Sequence, residues 1–586
     1  MTNNNLKNKK ELEKLWHSTA HVMAQAVKEL WPDVKVAIGP AIEDGFYYDF
    51  EKQKPFTDDD LKKITKKMKE IIKKDLTIEK IKLAKDEIKD VLKNEPYKQE
   101  IYDEILNNNE EPTFYKQGSF IDVCRGPHIT STKKIKAFKL LRTAAAYWRG
   151  NPKNKQLQRI YGISFFSKEK LKEFLKQREE AIKRDHNKLG RKMDLFMTSD
   201  VIGKGLPLLK PKGATLKRVL RRFIEDEEIK RGFIYTETPV LARTKLYEIS
   251  GHLNHYRDSI FIFKENDEEI ALRPMTCPHQ FMIYKSKKRS YKELPLKYAE
   301  VANLFRKEQS GELHGLIRVW QFTLADAHII CRPSQLEDEF KKTLKLIQYV
   351  MKCLGFTDYW YRFSKWDPAK KGEKYIDNPK AWNDSQNKMK KILDELNLEY
   401  VEKEDEAAFY GPKLDIEMKN VYGKEDTIFT IQIDFALPER FDMTYINEKD
   451  EEVRPMIIHR SSIGCLERTM ALLIEKYAGK FPFWLTPVQI KILNINDNHR
   501  DYAYKLKEMF IENKLRAEVN DKAESINKKV RSAQKEYVYY TLIVGDEELK
   551  NNTVSVRDRQ GNVKKDIKIN DFIKQCLEKE KTKSIN

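Results

Sequence analysis

Cysteine is scarce in this chain of 586 residues, and the six that occur form no CxxC pair. Such sparse spacing argues against a disulfide framework and is typical of a reducing compartment. No run of about 18 apolar residues occurs anywhere, and the polar N-terminus has no apolar signal core. We therefore expect a cytoplasmic protein with no membrane segment. No GxxxxGK[ST] sequence is found either, so a Walker-type phosphate loop is not expected.

The residues that are abundant indicate a folded, basic protein. Hydrophobic residues make up 40% of the chain, with 28 Phe and 27 Tyr, enough for large cores. The net charge is +20 and the isoelectric point about 9.2. This excess of Lys and Arg favours a polyanionic partner such as nucleic acid. A general bias of the composition toward Lys is the alternative explanation.

The length predicts about three or four domains, and the pattern of predicted helices and strands changes twice along the chain. Residues 1–185 mix helices and strands, with charged amphipathic helices over 60–95. A polar helical connector follows over 167–193, for which a coiled-coil arm is the alternative. Residues 194–486 contain segments that predict one large, mainly antiparallel sheet, namely IFIFKEN, EEIALRP, LKYAEVANLFR, LIRVWQFTLADAHII and TIFTIQIDF. From 487 to 586, strands alternate with helices, as in an α/β domain.

Two His/Cys pairs lie in the first part of the chain. His17 and His21 are four residues apart and share one helix face, while Gly126-Pro127 separates Cys124 from His128. Such a set can bind a metal or share proton transfer. A zincin is disfavoured, because Ser18 replaces the Glu that serves as base. A lone HxxxH is more often a surface or structural pair.

A second group lies in NLFRKEQSGELHGLIRVWQFTLADAH, at residues 303–328. Arg306 and Glu308 end one predicted strand, and Arg318 and Phe322 lie on the returning strand. An arginine can hold a phosphate bidentately and an aromatic ring can stack on a base. The alternative is an ordinary hairpin with charges at its surface.

A third, scattered group is Cys277, His328 and His459. One thiolate and two imidazoles suit a zinc ion with three protein ligands and open coordination positions. Sequence spacing alone does not show that these residues converge, and each is individually more typical of a core or surface position.

Taken together, the sequence resembles the threonyl-tRNA synthetase family of class II aminoacyl-tRNA synthetases, from about Trp16 to about Glu580. The motifs that carry the resemblance are HSTAH, IGPAIEDGFYYDF, DVCRGPH, AAAYWRG, LQRIYG, RPMTCP, FRKE…GLIRV, DAHI, FYGPK, IQIDFALPERF and IHRSSIGCLER. The class I signatures HIGH and KMSKS are absent. The resemblance implies an α+β multidomain protein: an editing domain over 1–185 with its connector to about 193, an antiparallel-sheet catalytic domain over 194–486, and an α/β anticodon-binding domain over 487–586.

The resemblance also implies roles in threonine activation. Arg306, Glu308 and Arg468 are the implied catalytic residues, and Phe322 and Arg468 the pair that sandwiches adenine. The full implied sets are Arg306, Glu308, Arg318, Phe322 and Arg468 for ATP; Met275, Asp326, Tyr410 and Gln432 for threonine; and Cys277, His328 and His459 for one zinc ion per chain. Mg²⁺ is expected with ATP. Since valine lacks the threonine hydroxyl and serine keeps it, we expect the zinc to reject valine but to admit serine.

The remaining implied roles concern tRNA(Thr) and assembly. His17, His21, Cys124 and His128 match the site that hydrolyses mischarged seryl-tRNA, with Tyr47, Tyr48, Lys98 and Asp122 as neighbours. This site is expected to work without a metal. Glu548 and Arg557 match anticodon readers. The helix at 216–230, with the strand up to Pro239, resembles the motif 1 dimer interface, so a homodimer is expected.

The chain departs from the family pattern at several places. HSTAH begins at residue 17, so we expect the form without the ubiquitin-like domain that often precedes the editing domain. Unusual residues stand at five positions near the implied ATP and threonine contacts: Trp320, Leu324, Thr427, Phe429 and Cys465.

Two further readings compete with the full enzyme. One is a non-catalytic relative that binds tRNA or mRNA as a regulator, which loss of a motif arginine or zinc ligand would favour. The other is a different class II synthetase, such as the prolyl or seryl enzyme. Threonine-stimulated ATP–pyrophosphate exchange separates these readings.

Overall fold

The computed structural model describes residues 3–42, 44–151 and 153–585, with only the backbone of residues 3–7. Residues 1, 2 and 586, which belong to the predicted terminal domains, lie outside this range. The chain divides into two compact units, residues 1–179 and 180–586. None of the described helices is long and apolar enough to cross a membrane.

The first unit packs helices on a small antiparallel sheet. Its elements are α1 (Asn3–Leu30), β1 (Lys35–Val36), β2 (Ala41–Ile42), β3 (Gly45–Glu51), α2 (Asp58–Lys73), β4 (Ile78–Ile81), α3 (Lys85–Leu92), α4 (Pro96–Asn107), β5 (Phe114–Gln117), β6 (Phe120–Val123), β7 (Ala137–Tyr147) and β8 (Gln156–Phe165). One sheet has the order β1-β3-β8-β7 with β2 beside β3, and a second has the order β4-β5-β6. The helices predicted over 60–95 are confirmed as α2 and α3, with β4 between them.

Helix α1 forms because apolar residues recur at helical spacing along its second half. Trp16, Ala20, Met23 and Val27 are buried in the core of this unit. The Trp16 indole N–H donates to the Ser164 carbonyl oxygen at 2.8 Å, which fixes the helix against β8. His17 and His21 lie next to this anchored stripe, so their orientation is fixed as well.

The second unit begins with the connector and a large sheet. Its elements up to residue 477 are α5 (Lys168–Arg184), which crosses the unit boundary, α6 (His186–Lys192), β9 (Phe196–Met197), β10 (Leu208–Leu209), α7 (Pro211–Ile229), β11 (Ile234–Tyr235), β12 (Leu241–Arg243), α8 (Thr244–Ser250), α9 (His252–Tyr256), β13 (Ile262–Glu265), β14 (Glu268–Leu272), α10 (Cys277–Lys285), β15 (Leu296–Phe305), β16 (Gln321–Cys331), α11 (Leu336–Leu354), β17 (Tyr359–Ser364), α12 (Pro379–Glu395), β18 (Tyr400–Lys403), β19 (Lys413–Lys419), β20 (Glu425–Asp434), α13 (Leu437–Arg440), β21 (Tyr445–Ile446), β22 (Glu452–Val453), β23 (Met456–Cys465) and α14 (Leu466–Tyr477). The predicted connector is helical but interrupted, because Asp185 has extended backbone angles and caps α6.

The large sheet has the order β11-β15-β16-β23-β20-β19-β17-β18 among the described strands. Neighbours are antiparallel except β11 with β15 and β17 with β18, so the predicted antiparallel sheet is confirmed. The prediction was wrong for IFIFKEN and EEIALRP. These segments form the hairpin β13–β14, which pairs with β12 in a separate sheet. Asn266 and Asp267 both adopt positive φ, which closes a tight turn and makes the hairpin a local structure.

The C-terminal part is an α/β fold, as predicted. Its elements are β24 (Ile490–Asn494), α15 (Arg500–Glu512), β25 (Ala517–Asn520), α16 (Ile526–Lys535), β26 (Tyr540–Val544), α17 (Asp546–Asn551), β27 (Thr553–Arg557), β28 (Val563–Lys568) and α18 (Ile569–Thr582). The sheet order is β25-β24-β26-β27-β28, with the first three strands parallel.

Candidate functional site

One cavity of about 530 Å³ lies over the centre of the large sheet. The residues predicted from sequence for ATP, threonine and metal all line it: Met275, Cys277, Arg306, Glu308, Arg318, Phe322, Asp326, His328, Tyr410, Gln432, His459 and Arg468. Three of the unusual residues, Leu324, Thr427 and Cys465, line it too. The register of the sheet explains this convergence. His459 on β23 lies opposite His328 on β16 and opposite Gln432 on β20.

Cys277, His328 and His459 come together in this cavity. Their side chains are buried, and one potential ligand atom from each lies within 4.8 Å of the others. Cys277 is the first residue of α10, while the two histidines face each other across paired strands. The arrangement supplies the one sulfur and two nitrogen ligands of a zinc centre with open positions.

Hydrogen bonds behind the two histidines set their protonation. The His328 Nδ1–H donates to Gln280 Oε1 at 2.5 Å, and the His459 Nε2–H donates to Asp434 Oδ2 at 2.8 Å. The other ring nitrogen of each histidine therefore keeps its lone pair, as metal ligation requires. Burial raises the pKa of the Cys277 thiol well above its usual value. A bound dication would oppose that shift by favouring the thiolate.

The three arginines that the sequence assigns to ATP line the same cavity. The Arg306 guanidinium lies 5.2 Å from the centre of the Phe322 ring, and its Nε–H donates to the Pro274 carbonyl oxygen at 3.3 Å. Arg318 pairs with Glu308 at 3.6 Å. Arg468, at the start of α14, donates from Nη1 to the Thr427 carbonyl oxygen at 2.7 Å.

The residues predicted to bind the substrate threonine lie near His459. The Tyr410 ring stacks on the His459 ring with centroids 4.9 Å apart, and its hydroxyl donates to Gln432 Oε1. Burial raises the pKa of Asp326 to about 6. Met275 packs against the apolar cluster that contains Cys277. This end of the cavity thus combines acceptors and a hydroxyl with an apolar wall.

Among the lining residues that sequence reasoning missed are His252 and Tyr256 on α9. Burial lowers the pKa of His252 to about 3, and its Nδ1 lies 2.8 Å from Ser250 Oγ. The segment SGHLNHY, with its closely spaced rings, was the available signal. Two unusual residues lie outside the lining: Phe429 is in the core, and the Trp320 indole N–H donates to the Glu308 carbonyl oxygen.

A second cavity, of about 730 Å³, lies in the first unit. His17, His21 and Cys124 line it, and His128 stands behind Cys124. The Cys124 sulfur lies 3.1 Å from His17 Nε2 and 3.3 Å from His128 Nε2. The four predicted side chains are therefore one cluster, and their ligand-type atoms lie within 4.8 Å of one another.

Burial sets the protonation of this cluster. It lowers the pKa of His17 to about 4, although nearby Asp122 raises it, and it lowers the pKa of His21 and His128. Burial, with Asp122, raises the pKa of the Cys124 thiol to about 12. At neutral pH the pocket holds neutral imidazoles and a thiol. Asp122 is itself paired with Lys98 at 2.5 Å and accepts from the Tyr48 hydroxyl at 2.8 Å.

Glu548 and Arg557 lie on neighbouring elements of the C-terminal part. Glu548 accepts from the Gly545 N–H at 2.9 Å and from the Ser555 hydroxyl at 2.6 Å. Ser555 and Arg557 are two residues apart on β27, so they share one face of the strand. Glu548 is therefore held on the face from which Arg557 projects, and Arg557 Nε has no hydrogen-bond partner among the described residues.

Three known families match the chain in order. A profile of the "Threonyl and Alanyl tRNA synthetase second additional domain" matches residues 113–161, which include Cys124 and His128. The family model of the "tRNA synthetase class II core domain (G, H, P, S and T)" matches residues 256–477. The "Anticodon binding domain" matches residues 488–579.

Similar proteins agree with these matches. A threonine–tRNA ligase of Clostridium botulinum is 54% identical over 97% of this chain and 88% of its own length. A threonine–tRNA ligase of a Geobacillus species is 47% identical over 96% of this chain and 88% of its own length.

Among solved structures, the RNA-binding domain of threonyl-tRNA synthetase from Cryptosporidium parvum shares 32% identity, with a TM-score of 0.64 over 67% of this chain and 98% of its own. The prolyl-tRNA synthetase of that organism shares the fold alone. It is 14% identical, covers 68% of this chain and 76% of its own, and has a TM-score of 0.51. Nothing in these matches favours the non-catalytic alternative. With its cavities, its motif residues and relatives of this identity over nearly its whole length, the chain belongs to the threonine–tRNA ligase family.

Proposed function

We propose that this ligase activates threonine with ATP in the cavity over the large sheet and hydrolyses mischarged seryl-tRNA(Thr) in the cavity of the first unit. Three domains divide this work: residues 1–185, with the connector to about 193, edit; residues 194–486 activate and transfer threonine; and residues 487–586 bind the anticodon. The observation that carries the proposal is the gathering of every predicted activation residue around one cavity.

Arg306 acts on the α-phosphate. When the threonine carboxylate attacks, negative charge builds on the phosphate, and a guanidinium already in place stabilises it. The carbonyl of Pro274 and the ring of Phe322 orient Arg306. Phe322 and Arg468 hold adenine between a ring and a planar cation. Glu308 and Arg318, which pair with each other, complete the nucleotide end, where Mg²⁺ accompanies ATP.

Cys277, His328 and His459 would hold the zinc ion, since their donor types and the hydrogen bonds behind the histidines fit it. When bound, zinc would supply a Lewis-acidic centre for the amino and hydroxyl groups of threonine. The buried Asp326 carboxyl, Tyr410 and Gln432 supply the polar contacts to the substrate amino acid. Met275 bounds the side-chain pocket.

Editing uses the neutral imidazoles of the first unit. Hydrolysis of the seryl ester needs a positioned water and a group that takes its proton. His17 stays neutral down to a pH of about 4 and lies 3.1 Å from the Cys124 sulfur. His17, His21, Cys124 and His128 together perform this step without a metal, in keeping with the hydrogen bonds that join Cys124 to His17 and His128, and His128 to Ser18.

Glu548 and Arg557 read the anticodon, through base edges that a carboxylate and a guanidinium can pair with. The enzyme works as a homodimer through α7 and the strand that follows it, where Ile229 and Ile234 expose more than half of their surfaces. It works in the cytoplasm, where tRNA is charged for translation.

The test is threonine-dependent ATP–pyrophosphate exchange by Arg306→Ala. Losing one preorganised donor at the charge that develops costs about 10²–10³ in rate. Lys307→Ala, which removes the neighbouring exposed cation outside the cavity lining, is the matched control and keeps the parent rate. Seryl-tRNA deacylation by His17→Ala tests the second half and falls while exchange persists. Parent-like exchange by Arg306→Ala would remove this arginine from the mechanism.

A further inference from the structure

His186, the first residue of α6, is completely buried and uses both ring nitrogens. Its Nδ1–H donates to Glu475 Oε1 at 2.7 Å, and the Glu475 side chain is buried too. Its Nε2 accepts from the Leu316 backbone N–H at 3.3 Å. The carboxylate thus fixes the tautomer in which Nε2 is free to accept. One imidazole therefore connects the connector helix, α14 and the loop between β15 and β16.

The loop lies directly on this imidazole. Residues 314–318 form a tight turn in which the His314 N–H donates to the Arg318 carbonyl oxygen and the Arg318 N–H donates back to the His314 carbonyl oxygen. Gly315 has a φ of +50°, and a Cβ there would stand 2.2 Å from His186 Nε2. Only a residue without a side chain lets the turn approach so closely.

The same turn positions two of the arginines proposed to bind ATP. Arg318 belongs to the turn, and the Ile317 carbonyl oxygen accepts from Arg468 Nε at 3.1 Å. Glu475 lies seven residues after Arg468 on α14, which is two helical turns. His186 therefore fixes the turn to the helix that carries Arg468.

A metal site at this place is the competing explanation. Asp185, His186 and His314 offer ligand atoms within 4.8 Å of one another. However, both nitrogens of His186 are engaged in hydrogen bonds. Asp185 accepts from the N–H groups of Asn187 and Lys188 and from the Tyr422 hydroxyl. Two of the three side chains, His186 and Asp185, are thus already satisfied in a structural arrangement.

We propose that His186 is a positioning residue for ATP: by accepting from the Leu316 N–H it holds the turn 314–318, and through it Arg318 and Arg468, in the geometry that binds the nucleotide. The proposal rests on the nucleotide role proposed above for these two arginines. None of the proposed threonine contacts belongs to the turn or to α14, so losing this hydrogen bond changes the KM for ATP and leaves the KM for threonine unchanged.

The test compares variants in the exchange assay. His186→Asn retains an amide donor for Glu475 and removes the acceptor for Leu316, so the KM for ATP rises about tenfold, as expected for one lost hydrogen bond. Gly315→Ala disturbs the same contact from the loop side and gives the same shift. Its matched control is Gly311→Ala, where an added Cβ meets nothing within 4 Å, and this variant keeps the parent values.

Each outcome decides one question. A raised KM for ATP with an unchanged KM for threonine in both His186→Asn and Gly315→Ala supports the inference. If Arg468→Ala weakens ATP binding but these two variants match the parent, the inference is wrong and the proposed function stands. If both KM values rise together in the two variants, His186 is merely structural and the inference is also wrong. If Arg468→Ala binds ATP like the parent, the nucleotide role itself is overturned.

Discussion

Replacing Asp434 by Asn puts an NH₂ donor in place of one acceptor oxygen near the proposed metal ligands while keeping the shape of the side chain. Asp434 Oδ2 accepts from the His459 Nε2–H, and Oδ1 accepts from the N–H groups of Ala436 and Leu437 at 2.8 and 2.9 Å. An asparagine can keep the two backbone contacts only by turning its NH₂ group toward His459. Donor then faces donor, and the imidazole must move its proton to Nδ1. That nitrogen can no longer bind a metal.

The size of the effect follows from burial. Asp434 is fully buried and His459 nearly so, so water cannot replace the lost partner. Loss of a hydrogen bond behind a metal-bound histidine typically lowers metal affinity about 10–100-fold. This corresponds to about 1.4–2.7 kcal/mol, because each factor of ten is about 1.4 kcal/mol.

The assay measures zinc retained by the purified protein against graded concentrations of a chelator, together with threonine-dependent exchange. Asp367→Asn is the matched control, since Asp367 also caps a helical turn through its Oδ1 but lies outside the cavity lining. We expect Asp434→Asn to lose zinc at a 10–100-fold lower chelator concentration and the control to match the parent. Equal zinc retention by all three proteins, or a parent that activates threonine without zinc, refutes the reasoning.

Three further predictions concern the other sites. Arg557→Ala should weaken recognition of the anticodon by about 1–3 kcal/mol, so tRNA charging should fall while pyrophosphate exchange stays unchanged. Unchanged charging would contradict the anticodon role. Since burial lowers the pKa of His17 to about 4, seryl-tRNA deacylation should persist from pH 8 to about pH 5 and fall only near pH 4. An ordinary imidazole would lose its base form near pH 6.5, so a midpoint there would exclude His17 as the base. Lys98→Met leaves Asp122 buried without its cation, which should destabilise the first unit by about 3–5 kcal/mol and leave exchange intact; calorimetry that shows no shift would contradict this.

The residues that the resemblance assigns to threonine activation lie within contiguous motifs, and they gather around one cavity. RPMTCP and IHRSSIGCLER place Cys277 and Arg468 in the first turn of a helix. DAHI and IHRSSIGCLER place His328 and His459 within paired strands, and the register of the large sheet brings them together. Sheet membership was predicted less well. The segments IFIFKEN and EEIALRP read as strands of the large sheet, yet their turn at Asn266 and Asp267 closes a local hairpin. Strand propensity does not encode which sheet a hairpin joins.

The supporting contacts could not be predicted at all. Asp434 stands in a quoted motif and Gln280 lies two residues after one, but nothing in their spacing shows that they hold His459 and His328. His186 is 289 residues from Glu475 along the chain. Such pairs depend on tertiary packing, which hydrophobic periodicity does not report.

The alignment of Gln432, His459 and His328 in one row across β20, β23 and β16 has a consequence for folding. The ladder between β16 and β23 joins segments more than a hundred residues apart, and side chains alternate between the two faces of each strand. A slip of β23 by one residue would turn His459 to the opposite face, away from its partner on β16. With zinc held by His328 and His459 as proposed, metal content would report whether the central strands have paired in their native register, and a chain folded with shifted strands would retain less zinc.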